Sequence, residues 1–273
     1  MKAKDISRPK VLYKFLGKHG GTDALRNLTI LFSPADKFND PFECVPGGLS
    51  PTDVAAVIRE GCQVSSDMWK WIDFCKKYNL FDGPDFGKEL LRYNAKNNLL
   101  QFFAGVSADG TSRIAARRNE IFIACFSACK DSLLLWSHYA EQHKGIVIGY
   151  KTLYLPEVYP VKYSETRVEI PYGPNHSRDW VKDVFTTKYT DWKYEYEWRS
   201  LNPNPSSQEH SNGGLLHPID ADGIAEITLG ACADKELFDE CLSFVKHHRK
   251  CHLFKASMHA YAYKLDFERV KVS

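Results

Sequence analysis

From residue 158 onward, short runs of β-branched and aromatic residues follow one another with turn residues between them. Residues 158–163, 192–201, 215–219, 224–229, 253–256 and 261–267 all have strand length. One helical segment, capped by Asp234 and running to about His248, interrupts them. A parallel neighbour needs a crossover of a dozen or more residues, usually a helix. So many strands with a single such helix predict an α+β fold with largely antiparallel or mixed twisted sheets.

The first part of the chain supplies further strands at 11–15, 30–33, 121–126 and 146–150. The run at 121–126 is continuously apolar, as in a central strand buried on both faces. Gly20-Gly21-Thr22-Asp23 opens a short helix that runs to Leu28, and Pro34 ends the second strand. Asp131-Ser132 caps a helix over 133–142, which a basic turn and a left-handed Gly145 close. Residues 50–118 are helical in pattern. One helix opens at Pro51-Thr52-Asp53, and a second carries Trp69, Ile72, Phe74 and Cys75. A third opens at Gly83-Pro84-Asp85 and buries Phe86, Leu90, Tyr93 and Leu100. No linker bounds this block, so the expectation is a single α+β domain over 1–273 with a helical insertion at about 50–118.

Composition excludes more than it selects. The net charge of +2 creates no global field toward nucleic acid or membrane. No run approaches the roughly 20 apolar residues of a membrane span, and no apolar signal core follows the N-terminal Met1-Lys2-Ala3-Lys4-Asp5. Eight cysteines without a C-x-x-C pair point to reduced, mostly buried thiols in the cytoplasm, with no metal site expected. Walker A, G-x-G-x-x-G and G-x-S-x-G motifs are absent.

Three stretches carry candidate chemistry. Trp192-Lys193-Tyr194-Glu195-Tyr196-Glu197-Trp198-Arg199 alternates throughout. In a strand, Trp192, Tyr194, Tyr196 and Trp198 share one face and Lys193, Glu195, Glu197 and Arg199 the other. Two carboxylates about 7 Å apart on one face suit work on a sugar: one holds hydroxyls, the other stabilises positive charge at the anomeric carbon. The same pattern also describes a solvated sheet face with cross-strand ion pairs. Phe38-Asn39-Asp40-Pro41-Phe42-Glu43 is a turn whose Asn39, Asp40 or Glu43 line a cleft in the functional reading. Around Cys125-Phe126-Ser127, the helical stripe of Trp136, Tyr139, Ala140 and His143 is either core or a wall that stacks a ring.

The ordered series Leu12-Tyr13-Lys14-Phe15, Phe32-Ser33, Phe38 to Glu43, Cys125-Phe126-Ser127, Trp136 to Ala140, His143-Lys144-Gly145 and Tyr194 to Arg199 resembles the bacterial domain of unknown function 2971 family over nearly the whole chain. More distantly, the chain resembles ADP-ribosyltransferases. That resemblance implies a first strand holding NAD through Tyr13 or Lys14, Ser33 on the second strand, Glu197 as catalytic acid and Glu195 two residues before it. Asn39, Asp40, Ser127, Trp136, Tyr139 and Arg199 are the further candidates for the NAD cleft. The function so implied is cleavage of NAD and transfer of ADP-ribose to a macromolecular acceptor, in phage defence or as a toxin with an antitoxin or defence partner. Two alternatives stand beside it: a sensing module without chemistry, and a metal-dependent nucleic-acid enzyme using Asp40, Glu43 and Glu197.

Overall fold

A computed structural model describes residues 7–80, 92, 94–173, 179–203 and 206–272. In chain order the elements are β1 (Val11–Leu16), α1 (Lys18–Asn27), β2 (Thr29–Pro34), α2 (Pro51–Val64), α3 (Met68–Lys77), α4 (Ala95–Ala116), β3 (Phe122–Ser127), α5 (Leu133–Tyr139), β4 (Ile146–Lys151) and β5 (Val158–Pro160). There follow β6 (Lys162–Ser164), α6 (Asp179–Phe185), β7 (Thr187–Tyr189), β8 (Glu197–Leu201), β9 (Gln208–Glu209), β10 (Leu215–Pro218), β11 (Ile224–Leu229), α7 (Lys235–His247), β12 (His252–Met258) and β13 (Leu265–Arg269). They form two compact units. The first comprises Met1–Asn39, Asn119–Tyr163 and Thr190–Ser273, and the second Asp40–Arg118 and Ser164–Tyr189.

The first unit is built on an eleven-stranded mixed sheet. Its order is β13-β12-β11-β4-β1-β3-β2-β10-β9, with β8 against β3 and β5 against β8. Among the described strands of this sheet, only β11 and β12 run parallel, and α7 is the crossover between them. The others pair antiparallel, as in an α+β fold. One face packs Leu12, Phe126, Ile148, Trp198 and Ile227 against Leu25 of α1 and Leu237, Cys241 and Val245 of α7. Each such fully buried side chain contributes about 1.5–3 kcal/mol. The other face carries a smaller cluster of Trp136, Ala140 and Val147, with Tyr13 and Phe15 packed against it.

Close packing explains two glycines. Helix α1 begins at Lys18, earlier than its glycines suggested, and Gly21 within it lies against β4. A Cβ there would meet Ile146 Cγ1 at 2.6 Å. Helix α5 stops at Tyr139, short of the expected 142, and Glu141, Gln142 and His143 all take positive φ. Gly145 is not left-handed. It is glycine because a Cβ would overlap the Leu16 carbonyl of β1. Asp234 caps α7 as expected, its carboxylate accepting from the Leu237 N–H at 2.9 Å.

The second unit joins the helical block to the 164–189 segment. Val57, Trp71, Phe74, Cys75, Leu80, Leu99 and Phe103 form its core. Gly61 lets α2 approach Leu99 and Phe74. The buried stripes differ from those expected: Trp71 replaces Trp69, which is exposed, and Leu99 and Phe103 replace Leu100. The helix start at Gly83 and its residues Phe86, Leu90 and Tyr93 lie outside the described residues. The Asp53 carboxylate accepts from the Tyr172 N–H at 3.1 Å, and the Tyr172 hydroxyl donates to the Tyr78 carbonyl at 2.9 Å. No helix among the described residues is long and apolar enough to cross a membrane.

Candidate functional site

The middle of the large sheet forks. Strand β1 pairs with β3 at Tyr13 and Ser127, and β2 pairs with β3 at Ser33 and Ile123, so β1 and β2 part around Cys125. On its other edge β3 pairs fully with β8, Ser127 opposite Glu197 and Cys125 opposite Arg199. Directly paired residues point to the same face of a sheet. One face therefore holds three cross-strand rows: Tyr13–Ser127–Glu197, then Cys125–Arg199–Tyr159, then Ser33–Ile123–Leu201. The register thus gathers Tyr13, Ser33, Ser127, Glu197 and Arg199 onto one surface.

Glu197 and Arg199 sit two apart on β8, and their side chains close on each other. Arg199 Nε donates to Glu197 Oε1 at 2.8 Å and Nη2 to Oε2 at 3.1 Å. Glu197 is 5% exposed and Arg199 0%. The Arg199 guanidinium also lies 5.4 Å from the Phe38 ring. Burial lowers the proton affinity of Arg199, and the bidentate carboxylate counters that cost. The Glu197 N–H donates to the Tyr163 hydroxyl at 2.9 Å, so backbone and side chain are both held.

Glu195 is not on the strand. Thr190–Glu195 winds into a 3-10 helix, Tyr196 takes φ 47°, and the strand starts only at Glu197. The expected aromatic face is therefore dissolved: Trp198 alone enters the core, while Tyr196 is exposed. Alternation alone does not separate a strand from a segment broken by one left-handed residue, because both display period 2 in sequence. Glu195 is nevertheless 4% exposed. Its Oε1 accepts from the Tyr139 hydroxyl at 2.9 Å, and its carbonyl accepts from the Ser127 hydroxyl at 2.6 Å. Ser127 Oγ in turn accepts from the Cys129 N–H at 3.1 Å. Ser127 thus ties the glutamate-bearing turn to β3.

The two first-strand candidates diverge. Lys14 points to the opposite face from Tyr13, and its Nζ donates to the Cys125 carbonyl at 3.3 Å where the strands part. Burial pushes the Lys14 ammonium below its ordinary range, against the opposing pull of Cys125 and Glu197. Tyr13 lies over Gly149, where a Cβ would meet its ring at 3.1 Å. Burial and the charge of nearby Glu226 push the Tyr13 phenol up to about 12. Lys130 completes that end of the sheet. It pairs with Glu226 at 2.5 Å, with its ammonium 4.2 Å from the Phe254 ring and 5.8 Å from the Tyr13 ring. No local motif announces Lys130 or Glu226, because 96 residues separate them.

The remaining candidates scatter. Trp136 is wholly buried; its indole N–H donates to the Lys130 carbonyl at 2.7 Å and its ring stacks on His143. It is core and has no face left for a ligand. Tyr139 is partly exposed above Glu195. Asn39 is exposed at the end of one segment of the first unit. Asp40 belongs to the second unit, where its carboxylate accepts from the Phe42 N–H at 2.9 Å in the turn expected of Asn-Asp-Pro.

A cavity of about 450 Å³ opens in the first unit between α1, β1, β2 and β10. Lys14, Asp23, Asn27, Thr29, Tyr150 and His210 are among its lining residues. Neither Glu195 nor Glu197 lines it. None of the eight cysteines, all among the described residues, is in a disulfide. Among the described residues no three His, Cys, Asp or Glu side chains are arranged to hold a metal ion. Comparison with known family models, curated proteins and solved structures finds no match to this chain.

Proposed function

We propose that this chain is an ADP-ribosyltransferase-like enzyme of the bacterial domain of unknown function 2971 type. In this reading it cleaves NAD and passes ADP-ribose to a macromolecular acceptor in the cytoplasm, in a phage-defence or toxin setting with its own antitoxin or defence partner. The observation that carries the reading is the cross-strand row Tyr13–Ser127–Glu197 beside the fork of the sheet, with Ser33 on the same face. Arg199 holds the Glu197 carboxylate through two hydrogen bonds. In this reading Glu197 accepts from a ribose hydroxyl when NAD binds. The glycosidic C–N bond breaks with its electron pair leaving on nicotinamide, and the fixed negative charge stabilises the oxocarbenium. The acceptor then bonds to the anomeric carbon, its proton passing to Glu195 or to water.

Nicotinamide release from NAD tests this, with and without protein or nucleic-acid acceptors. Glu197→Gln is expected to cut release by about 100-fold or more, with circular dichroism unchanged. Wild-type rates in the folded variant would end the proposal; Glu195→Gln provides a second variant if Glu197→Gln does not fold.

The burial of both carboxylates, at 4% and 5% exposure, favours a second reading, a recognition module whose charges only hold the sheet together. NAD left intact by the wild-type chain under every acceptor condition decides for that reading.

A further inference from the structure

A cavity of about 680 Å³ in the first unit lies where the end of α7 meets the start of β12 and the end of β13. Its charged lining is entirely basic. Lys246 and Arg249 come from the helix end, His252 from β12, and Arg269 and Lys271 from β13 and the residues after it. Among the described residues no carboxylate lines it. Arg269 pairs in register with Phe254, so His252, two residues before Phe254, shares its face. Arg269 Nη2 donates to His252 Nδ1 at 2.8 Å, which orients the guanidinium without neutralising it.

The charge here is local. Lys246, Arg249, Arg269 and Lys271 outweigh the net +2 of the whole chain. Other cations of the same unit have carboxylate partners: Lys18 with Asp234 and Glu236, Lys130 with Glu226, and Lys250 with Asp222. Among the described residues none of the four lining cations is in an ion pair. Glu226, across from His252 on β11, is the carboxylate held by Lys130, and Glu268 alternates to the opposite face of β13 from Arg269. The helix dipole accounts for cations at the end of α7. It does not account for Arg269 and Lys271, which arrive on another element. Like charges around one cavity repel, so an anionic ligand explains the arrangement better than folding does.

The β12–β13 hairpin adds a second feature. Its turn carries Tyr261 and Tyr263, both fully exposed. Strand β12 spans seven residues between the cavity and that turn, about 20 Å. We propose that this surface binds single-stranded nucleic acid, the four cations holding the phosphate backbone and the two tyrosines stacking unpaired bases. A single phosphate is commonly enclosed by backbone N–H groups at a helix N-terminus or in a nest. Here the donors are long, exposed side chains around an open cavity, which suits a run of phosphates. The binding does not depend on the reading of Glu197.

Fluorescence anisotropy of the full chain with labelled RNA and DNA single strands of about 12 nucleotides, at several salt concentrations, tests the proposal. Saturable binding that falls steeply with salt is expected. Arg269→Gln with Lys271→Gln is expected to weaken it at least about 10-fold and to reduce the salt slope by about 1.4, two phosphate contacts at about 0.7 each. Tyr261→Ala with Tyr263→Ala is expected to weaken it about 10-fold or more with the slope unchanged. All four positions are exposed, so both double variants are expected to keep their fold. Lys37→Gln, at an exposed lysine outside the cavity, is expected to leave binding unchanged. No saturable binding, wild-type affinity in either double variant, or an equal loss in Lys37→Gln would overturn the proposal. So would equal affinity for duplex, displacement by pyrophosphate at the oligonucleotide's own concentration, or tighter binding to phosphatidylglycerol vesicles.

Discussion

Arg199 grips Glu197 through two hydrogen bonds of 2.8 and 3.1 Å, from the same strand and with both side chains closed to water. Removing one partner leaves a buried charge without its counter-ion. Arg199→Met alone is expected to destabilise the protein by roughly 3–5 kcal/mol, whereas Arg199→Met with Glu197→Leu returns most of that loss. Urea unfolding of the two singles and the double measures the coupling; additive single effects would show that the pair acts independently.

Two adjacent glycines in α1 should respond with opposite signs. A Cβ at Gly20 meets nothing within 4 Å, so Gly20→Ala is expected to stabilise by about 0.5–1 kcal/mol through helix propensity. At Gly21 the same atom meets Ile146 at 2.6 Å, and Gly21→Ala is expected to cost about 1–3 kcal/mol. Thermal unfolding of the pair checks this directly.

Desolvation lowers the proton affinity of His143 and of His217. The Nδ1 atom of His143 is buried without a hydrogen-bond partner among the described residues. The unfolded chain therefore binds protons that the folded state refuses, and stability is complete only above the unfolded histidine value of about 6.5. It is expected to decline as pH falls below that. Asp234, Asp222 and Glu60 are held low, chiefly by hydrogen bonds from Lys18, Lys250 and Lys77 respectively. Their contributions are present above the unfolded carboxylate range and are lost only in more acid solution. Urea midpoints between pH 7.5 and 5.5 thus isolate the histidines. His143→Gln should flatten the slope, leaving the part due to His217; an unchanged slope rules out His143 as a source.

Tyr139→Phe removes the hydroxyl that holds Glu195. Because Tyr139 is partly exposed, the loss is expected to be about 1–2 kcal/mol, at the lower end for a bond to a charged group. If Glu195 orients the acceptor, nicotinamide release in this variant falls further than its stability does. Equal losses in the two measurements assign Tyr139 a purely structural part.

Local pattern settled much of the architecture. The apolar runs at 121–126 and 146–150 became β3 and β4, and 224–229 became β11 without shift. Asp234 and Ser132 capped the helices they precede, Ser132 Oγ accepting from the Leu135 N–H at 3.4 Å. These features depend on side-chain period and on short side chains near backbone donors, both confined to a few residues. The ends of helices were less legible: α1 starts at Lys18, before its glycines, and α5 stops at Tyr139, where the chain turns away through Glu141, Gln142 and His143 at positive φ.

What tertiary structure alone decided is which chemical groups meet. The alternation around Glu195 and Glu197 was visible in the chain, but Tyr196 at φ 47° broke the strand and turned Glu195 toward Tyr139. Equally invisible were the fork at Cys125, the pairing of Lys130 with Glu226, and the association of 164–189 with the helical block. Period and capping act over one or two turns of backbone. Register, burial of charge and close approach arise only when residues distant in the chain compete for the same space and the same hydrogen-bonding partners.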